Sequence, residues 1–296
     1  MVDAKEVFAD LERITAGLNN DNESILEFDY FAEQVDNEIQ NELVSELMAR
    51  YAELSRQLDE KNEQLKRYSE NLEELVEEKI QEISASQIAT IHALVKAAES
   101  RDDDTGTHIE RTSLFCKIIA ENLLKTGKYT DVVDEAYVEN ISKASPLHDI
   151  GKVGIKDEIL LKPGRLTPEE FEIMKTHVDI GYETLLKAYK TYPGNIYLQI
   201  GTDIAKFHHE KWDGSGYMQN HAGEDIPLSA RIMALSDVYD ALRSRRVYKE
   251  PFSHEKTYEI IIEGKGSHFD PAIVDVFIDR HKEFEEVYDN LSGLNA

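Results

Sequence analysis

The sequence predicts an all-α protein, in which a long amino-terminal helix precedes a helical domain. Up to residue 98 there is no proline and a single glycine, Gly17, in a segment rich in Glu, Leu, Gln and Lys, which favour helix. Farther along, apolar residues recur at helical spacing, and we find no convincing alternation of apolar and polar residues of the kind that marks a half-buried strand. We therefore expect helices throughout.

Apolar residues in the first third follow a heptad spacing. They alternate steps of three and four, with Lys61 interrupting one position, at Val44, Leu47, Tyr51, Leu54, Leu58, Leu65, Tyr68, Leu72 and Leu75. Such a seam is typical of a coiled coil. After Leu72 the phase shifts, because Val76 and Ile80 continue in steps of four, and this stutter would locally unwind a supercoil.

The composition changes near residue 99. All seven prolines, fourteen of the fifteen glycines and nine of the ten histidines follow it. We expect three parts: an N-terminal helical segment over 1–40, a coiled-coil stalk helix over 41–98 and a catalytic domain over 99–296. The stalk is expected to form a homodimer and to receive a signal from a sensor or a signalling protein partner; the alternative is a solvated helical face.

Helical spacing recurs in six segments of the remainder. They are 113–124, 137–144, 169–188, 198–208, 229–243 and 271–287. One helix start is well marked, since Thr167, Pro168 and Glu170 match an N-cap, a first-turn proline and a reciprocal capping glutamate. We expect this helix to carry His177.

Charge and cysteine content exclude several classes of function. The chain has 59 acidic and 33 basic side chains, a formal charge of −26, which repels polymeric nucleic acid. Its one cysteine, Cys116, lies in an apolar run and is interpreted as a small buried hydrophobe. No stretch reaches the roughly 18 apolar residues of a membrane span, and the amino terminus lacks a secretory pattern. We expect a cytoplasmic protein.

A set of histidines and aspartates is the strongest chemical signal. Its members are His108, His148, Asp149, His177, His208, His209 and Asp237. Each one alone is more often an ordinary core or surface residue. Together they offer the nitrogen and oxygen donors that suit Fe, Mn, Zn, Ni or Mg, in about the number that two metal ions need.

Several motifs resemble the HD-GYP branch of the HD phosphohydrolases. They are HDIGK at 148–152, HHEKWDGSGY at 208–217, DVYDAL at 237–242 and RVYK at 246–249. The resemblance covers roughly residues 85–285 and includes RDDDTGTHIERT at 101–112, KPGRLTPEEFEIMKTH at 162–177 and FDP at 269–271. Other HD-family nucleotidases share the His-Asp pair but are not expected to carry the HHE…DGSGY stretch.

This resemblance implies a metal-dependent phosphodiesterase with an HD-type catalytic domain. Its substrate would be cyclic di-GMP, hydrolysed to linear pGpG and onward to GMP by a hydroxide that bridges two cations. The implied cofactors are two or three divalent ions, Fe or Mn first, with Zn, Ni or Mg as alternatives. The implied ligands are Asp104, His108, His148, Asp149, His177, His208, His209 and Asp237, with Asp149 as the bridge and Asp104 and His108 serving a third ion.

The resemblance also assigns substrate contacts. Lys152, one helical turn from His148, would direct its ammonium at the reacting phosphate, so that Asp149 and Lys152 are the catalytic pair. Arg246 and Lys249 would hold the second phosphate. Gly216 and Tyr217 would form a close-fitting loop that stacks on or hydrogen-bonds the substrate.

Two residues depart from the family pattern. Met218 replaces the proline of GYP, and Val247 replaces the proline of RPYK. Both changes remove a restricted φ angle and would relax the substrate loop. Two alternatives therefore stay open beside cyclic di-GMP hydrolysis: a phosphodiesterase for another cyclic dinucleotide such as 3′,3′-cyclic GMP-AMP, and a catalytically weak or inactive cyclic-dinucleotide sensor that acts through protein partners.

Overall fold

The computed structural model describes residues 37–99, 107–218, 221–245 and 250–293. Over these residues the chain is helical, and the one β pairing among them is an isolated bridge between Lys265 and Phe269. The predicted all-α fold is therefore confirmed. Most of the predicted amino-terminal segment, residues 1–36, lies outside the described residues. The chain divides into two compact units, 1–83 and 84–296.

The long predicted helix is present as α1, Asn37–Glu99. Within the first unit its apolar seam faces solvent, with Leu58 61% and Leu65 65% exposed. Arg56 forms surface ion pairs with Glu53 and Glu60 along the same helix. Among the described helices, none is both long and apolar enough to pass through a membrane. Pairing of the seam with a second copy stays a prediction.

The described part of the second unit contains the end of α1, nine further helices and two 3₁₀ segments. The helices are α2 His108–Thr126, α3 Glu135–Ala144, α4 Asp157–Leu160, α5 Pro168–Lys175, α6 His177–Thr191, α7 Ile196–Phe207, α8 Leu228–Arg243, α9 His254–Glu263 and α10 Pro271–Ser292. The 3₁₀ segments are Ser145–Gly154 and Gly223–Asp225.

The main core joins α2, α3, α8 and α10. Phe115, Tyr239, Phe277 and Phe284 are all fully buried there. The ring of Phe115 stacks on that of Phe284 with centroids 4.6 Å apart, and Tyr239 meets both edge-on. Because aromatic pairs stabilise a core beyond the area they bury, this cluster fixes α2 and α8 beside each other.

A second core cluster lies under the histidine-rich part of the chain. Val95, near the end of α1, is 1% exposed and packs with Ile109 of α2, Leu147 of the 3₁₀ segment, Leu185 of α6 and Ala205 of α7. Four of these five residues belong to elements that contain predicted ligands or, in the case of α7, lead directly into them. The cluster therefore packs these elements against one another and against the end of α1.

The segment predicted as one helix over 169–188 is two helices. The capping box is confirmed, since Glu170 N–H donates to Thr167 Oγ1 and Thr167 N–H to Glu170 Oε2. However, α5 ends where Thr176 N–H bonds the carbonyl of Ile173, a tightened i→i−3 turn. His177 is thus the first residue of α6, and the expectation that it lies on the capped helix is wrong.

Candidate metal centre

Four of the predicted ligand histidines share one hydrogen-bonding pattern: Nδ1 is hydrogen-bonded and Nε2 faces other predicted ligands. The Nδ1 contacts are His108 to Asp240 Oδ2 at 2.8 Å, His148 to Ser145 O at 2.9 Å, His177 to Met174 O at 2.7 Å and His208 to Ile204 O at 2.9 Å. A carbonyl or carboxylate oxygen only accepts, so each Nδ1 carries the proton. In the neutral imidazole, the other nitrogen, Nε2, then presents a lone pair.

The first donor group consists of Asp149, His177, His208 and His209, one ligand atom of each lying within 4.8 Å of the others. Nε2 of His177 is 3.2 Å from Asp149 Oδ1, and Nε2 of His208 is 3.8 Å from the same oxygen. All three atoms are buried and lack a hydrogen-bond partner among the described residues. Buried polar atoms rarely stay unsatisfied, so this cluster fits a bound cation.

The second donor group consists of His108, His148 and Asp237. Nε2 of His108 lies 3.4 Å from Nε2 of His148 and 3.7 Å from Asp237 Oδ1. Two nitrogens that each present a lone pair repel at this distance unless a cation or proton lies between them. Ligands of one first-row cation, each about 2.0–2.2 Å from it, are commonly about 3 Å apart, which is close to these separations.

Asp149 belongs to the first donor group but also faces the second. Its Oδ1 faces His177 and His208, whereas its Oδ2 is 3.2 Å from Nε2 of His148. One carboxylate therefore presents a different oxygen to each group. This arrangement suits a carboxylate that bridges two cations, although the role itself stays a prediction.

Charge at the site favours the ionised form of Asp149. Burial alone would raise the pKa of this carboxyl, but the Lys152 ammonium, with Nζ 2.9 Å from Oδ2, holds the pKa well below its usual range. Burial also lowers the pKa of His209 to about 3 and that of His208 well below its ordinary value. For Asp149, His208 and His209, the ionised carboxylate and the neutral imidazoles are the protonation states that bind metal.

Lys152 does not stand over His148 as expected from α-helical spacing. Residues Ser145–Gly154 form a 3₁₀ segment, in which side chains three positions apart are eclipsed. Lys152 therefore lies over Asp149 and forms an i,i+3 ion pair with it. Its ammonium is consequently beside the carboxylate between the two donor groups.

Gly151 allows the 3₁₀ segment to approach α6. A Cβ atom at Gly151 would lie 1.9 Å from the carbonyl oxygen of His177 and 2.6 Å from the amide nitrogen of Gly181. Real Cβ atoms do not come this close to backbone, so only glycine fits. The approach brings Asp149 within reach of His177. The glycine of HDIGK is the sequence signal for this close approach, which was not predicted.

Two residues that support the site were also missed. Asp240 accepts hydrogen bonds from His108 Nδ1 and from Arg111, and both residues are buried. Partners of this kind orient a metal-binding imidazole. The sequence contained a signal for both residues. Arg111 follows His108 by three positions and Asp240 follows Asp237 by three, a spacing that places each of them on the same helix face as a predicted ligand.

The predicted substrate loop lies against the first donor group. The ring of Tyr217 is 4.4 Å from that of His209, and Phe171 of α5 meets Tyr217 edge-on at 5.8 Å. Lys175 Nζ is 5.9 Å from the Tyr217 ring centroid. Phe171 and Lys175 were not predicted, because nothing in the local pattern of α5 distinguishes them from surface residues.

Three predicted residues cannot be placed. Asp104, Arg246 and Lys249 lie outside the described residues, as does Val247. Seven of the eight predicted ligands are brought together, with Asp104 the exception. Lys152, Gly216 and Tyr217 lie beside them.

The family described as HD domain matches residues 54–273 of the chain. A Vibrio cholerae protein named as a probable cyclic di-GMP phosphodiesterase is 50% identical over 207 residues, covering 70% of this chain and 47% of that protein. A Thermotoga maritima cyclic di-GMP phosphodiesterase is 41% identical, covering 73% of this chain and 55% of that protein.

A third relative has a different named substrate. The 3′3′-cGAMP-specific phosphodiesterase 2 of Vibrio cholerae is 40% identical over 194 residues, covering 66% of this chain and 35% of that protein. The chain thus spans between about a third and somewhat over half of the length of these relatives.

Proposed function

The chain belongs to the HD domain family, in its HD-GYP branch, and on that premise we propose that it hydrolyses a cyclic dinucleotide, with cyclic di-GMP as the substrate and linear pGpG as the first product. The observation that carries this proposal is that Asp149 faces both donor groups, with Oδ1 toward His177 and Oδ2 toward His148. The names of the Vibrio and Thermotoga relatives support the choice of substrate.

Membership of this family implies divalent metal binding. We propose that the first donor group holds one ion and the second donor group another, with Asp149 shared, and that the ions are Fe or Mn. Such ions, when bound, neutralise charge on the phosphate and lower the pKa of water. The absence of thiolate and the mixture of imidazole and carboxylate fit these metals. Asp104 is proposed to serve a third ion. His108, which the resemblance assigned to that third ion, is proposed instead for the second donor group, because its Nε2 lies 3.4 Å from Nε2 of His148.

The chain's own residues would bind and orient the phosphodiester. Lys152 is the positive charge nearest the shared carboxylate, and a phosphate oxygen approaching Asp149 would meet its ammonium. This matters in a chain with a formal charge of −26, which repels an anionic substrate as a whole. Tyr217, packed on His209, would supply a stacking face for a base, and Gly216 the space for close approach.

The second phosphate of a cyclic dinucleotide needs its own cations. Arg246 and Lys249 are proposed for that role, because a guanidinium and an ammonium bind phosphate oxygens well. These two residues would contribute to the affinity for the dinucleotide more than to the rate of the bond-breaking step.

Turnover of two dinucleotides tests the proposal. Protein loaded with Mn or Fe is incubated with cyclic di-GMP and, in parallel, with 3′,3′-cyclic GMP-AMP, and products are separated by chromatography. We expect wild-type protein to form pGpG, and Asp149→Asn to lose at least about 100-fold in rate. Asp179→Asn, which removes a surface carboxylate paired with Lys206, is the matched control and should keep full activity.

The other outcomes separate the alternatives. Preferential cleavage of the hybrid would assign the chain to the substrate named for its third relative. Binding of a dinucleotide without cleavage under any metal would make the chain a sensor that acts through protein partners. Undiminished turnover by Asp149→Asn would contradict the metal centre.

We also propose that α1 pairs with a second copy of the chain. The seam residues are large, apolar and exposed: Leu47 is 46%, Tyr51 76% and Leu72 60% exposed. A row of such residues at heptad spacing is buried when two helices supercoil around each other. A paired stalk of this kind would transmit a signal from a sensor or a signalling protein partner to the catalytic domain.

A further inference from the structure

Glu210 is a buried carboxylate next to the metal centre. It follows the predicted ligands His208 and His209, and it is 3% exposed. Its Oε1 accepts a hydrogen bond from the backbone N–H of Met218 at 2.8 Å, whereas its Oε2 is buried without a hydrogen-bond partner among the described residues. Glu210 belongs to neither donor group. The hydrogen bond that its carboxylate accepts therefore comes from the substrate loop.

The two backbone segments that this hydrogen bond joins, at Glu210 and at Met218, each have further close contacts. Glu210 N–H bonds the carbonyl of Phe207 at the end of α7. A Cβ at Gly216 would lie 2.5 Å from the Glu210 Cα and 2.8 Å from the His209 carbonyl oxygen. The loop therefore crosses directly over residues 209–210, and glycine permits the crossing.

Tyr217 lies between these two attachments. Gly216 is fixed by its contact with the 209–210 backbone, and Met218 is fixed by its bond to Glu210. The Tyr217 ring is consequently placed 4.4 Å from the His209 ring. Release of Met218 would leave the ring attached on one side only.

We propose that Glu210 is a positioning residue, which holds Tyr217 at the metal centre through the Met218 N–H. Proline at position 218 has no N–H and could not form this bond, but its ring would restrict the loop by fixing φ near −65°. In this chain a hydrogen bond from a neutral amide to a buried carboxylate, which is stronger than one between neutral groups, replaces that restriction. The inference rests on the proposed function, because it assigns Tyr217 to the substrate.

Four variants test the coupling between the two residues: Glu210→Ala, Glu210→Gln, Met218→Pro and the double variant Glu210→Ala with Met218→Pro. We expect Glu210→Ala to raise KM for cyclic di-GMP by about 10-fold with kcat changed less than about 3-fold, since it disturbs binding rather than the reacting groups. Glu210→Gln keeps an acceptor oxygen, so its KM should stay close to the wild-type value. With proline at 218, Glu210→Ala should raise KM less than about 3-fold.

Metal content of each variant, measured by plasma mass spectrometry, is expected to match the wild type. An equal KM penalty for Glu210→Ala in the wild-type and Met218→Pro backgrounds would overturn the proposal. Loss of metal in Glu210→Ala would do so too, because Glu210 would then support the metal centre and not the loop. Glu224→Ala, at an exposed position just after this loop, is the matched control.

Amide hydrogen exchange gives a second test that needs no turnover. In metal-loaded protein without substrate, the peptide containing Met218 should exchange faster in Glu210→Ala than in wild type, and at nearly the wild-type rate in Glu210→Gln. An unchanged exchange rate in Glu210→Ala would refute the proposal that Glu210 holds the loop through the Met218 N–H. If no dinucleotide is cleaved or bound, the proposed function fails, while this exchange comparison still decides whether Glu210 holds the loop.

Discussion

His108 donates from Nδ1 to Oδ2 of Asp240 across 2.8 Å, although 132 positions separate the two residues. Arg111 also donates hydrogen bonds to the same buried carboxylate. Burial alone would raise the pKa of Asp240, but hydrogen bonds from Arg111 and His108 hold the pKa below its usual value. The ionised carboxylate fixes the His108 ring with Nε2 toward the second donor group.

Asp240→Asn should weaken the second donor group selectively. The loss of a charged partner behind a ligand histidine typically costs about 10–100-fold in metal affinity, so calorimetric titration should show one site weakened and the other retained. Thermal stability should also fall, because the buried Arg111 guanidinium loses the carboxylate that accepts its hydrogen bonds. Asp289→Asn, which breaks a surface pair with Arg243, is the control. Wild-type affinity at both sites in Asp240→Asn would argue against this role.

Gly151→Ala should separate the HDIGK segment from α6. The added Cβ would meet the His177 carbonyl at 1.9 Å, and the neighbour is backbone that cannot rotate away. We expect a destabilisation of about 3 kcal/mol or more and a reduced metal stoichiometry, measured by denaturant unfolding and elemental analysis. Gly293→Ala, where no atom lies within 4 Å of the new Cβ, should be neutral. Normal stability and metal content in Gly151→Ala would show that the close approach is wrong.

Asp203 of α7 makes stability depend on pH. Burial raises its pKa from 3.8 to about 6. Between those values the native state holds the proton that the unfolded chain has released, so stability falls as pH rises and the destabilisation is complete above about pH 6. The full shift corresponds to about 3 kcal/mol, which partial exposure reduces to about 1–2 kcal/mol.

Asp203→Asn, which is neutral at every pH, should therefore be more stable than wild type by about 1–2 kcal/mol at pH 8, and by about half of that at pH 5. Urea unfolding of metal-free protein at both pH values measures this difference. Asp131→Asn, at an exposed position, controls for the removal of one charge. A stability difference for Asp203→Asn that does not vary with pH would refute the assignment.

Charges in the seam of α1 should dissociate the proposed dimer. Leu58→Glu with Leu65→Glu introduces two carboxylates where two copies would meet, whereas Ala49→Glu with Ala52→Glu adds the same charge at exposed positions off the seam. Light scattering should report a monomer for the first pair of changes and a dimer for the second and for wild type. A wild-type monomer at all concentrations would end the coiled-coil proposal.

The sequence was sufficient for the parts of the fold that depend on local pattern. The 63-residue helix α1 and the capping box at Thr167 follow from composition and spacing, and both are present. Helix α9 was missed although Ser253 caps it, because its ten residues contain only a short run of apolar positions, Tyr258 and Ile260 to Ile262. The break at Thr176 was also missed, since it depends on how His177 packs and not on a breaking residue.

The candidate site was predictable residue by residue but not as an arrangement. The identities of the seven placed ligands followed from motifs, whereas the contact of His108 with Asp240 joins α2 to α8 and has no local signature. Likewise, the 3₁₀ geometry that places Lys152 over Asp149 arises where Gly151 packs against α6. Long-range packing, which periodicity does not encode, determined both.

The most direct measurement is anomalous diffraction from crystals of the Mn-loaded protein at the Mn absorption edge. We predict two Mn peaks about 3.5–4 Å apart on either side of the Asp149 carboxylate, one within the first donor group and one within the second. Peaks confined to surface carboxylates, or a single ion that contacts neither oxygen of Asp149, would contradict it.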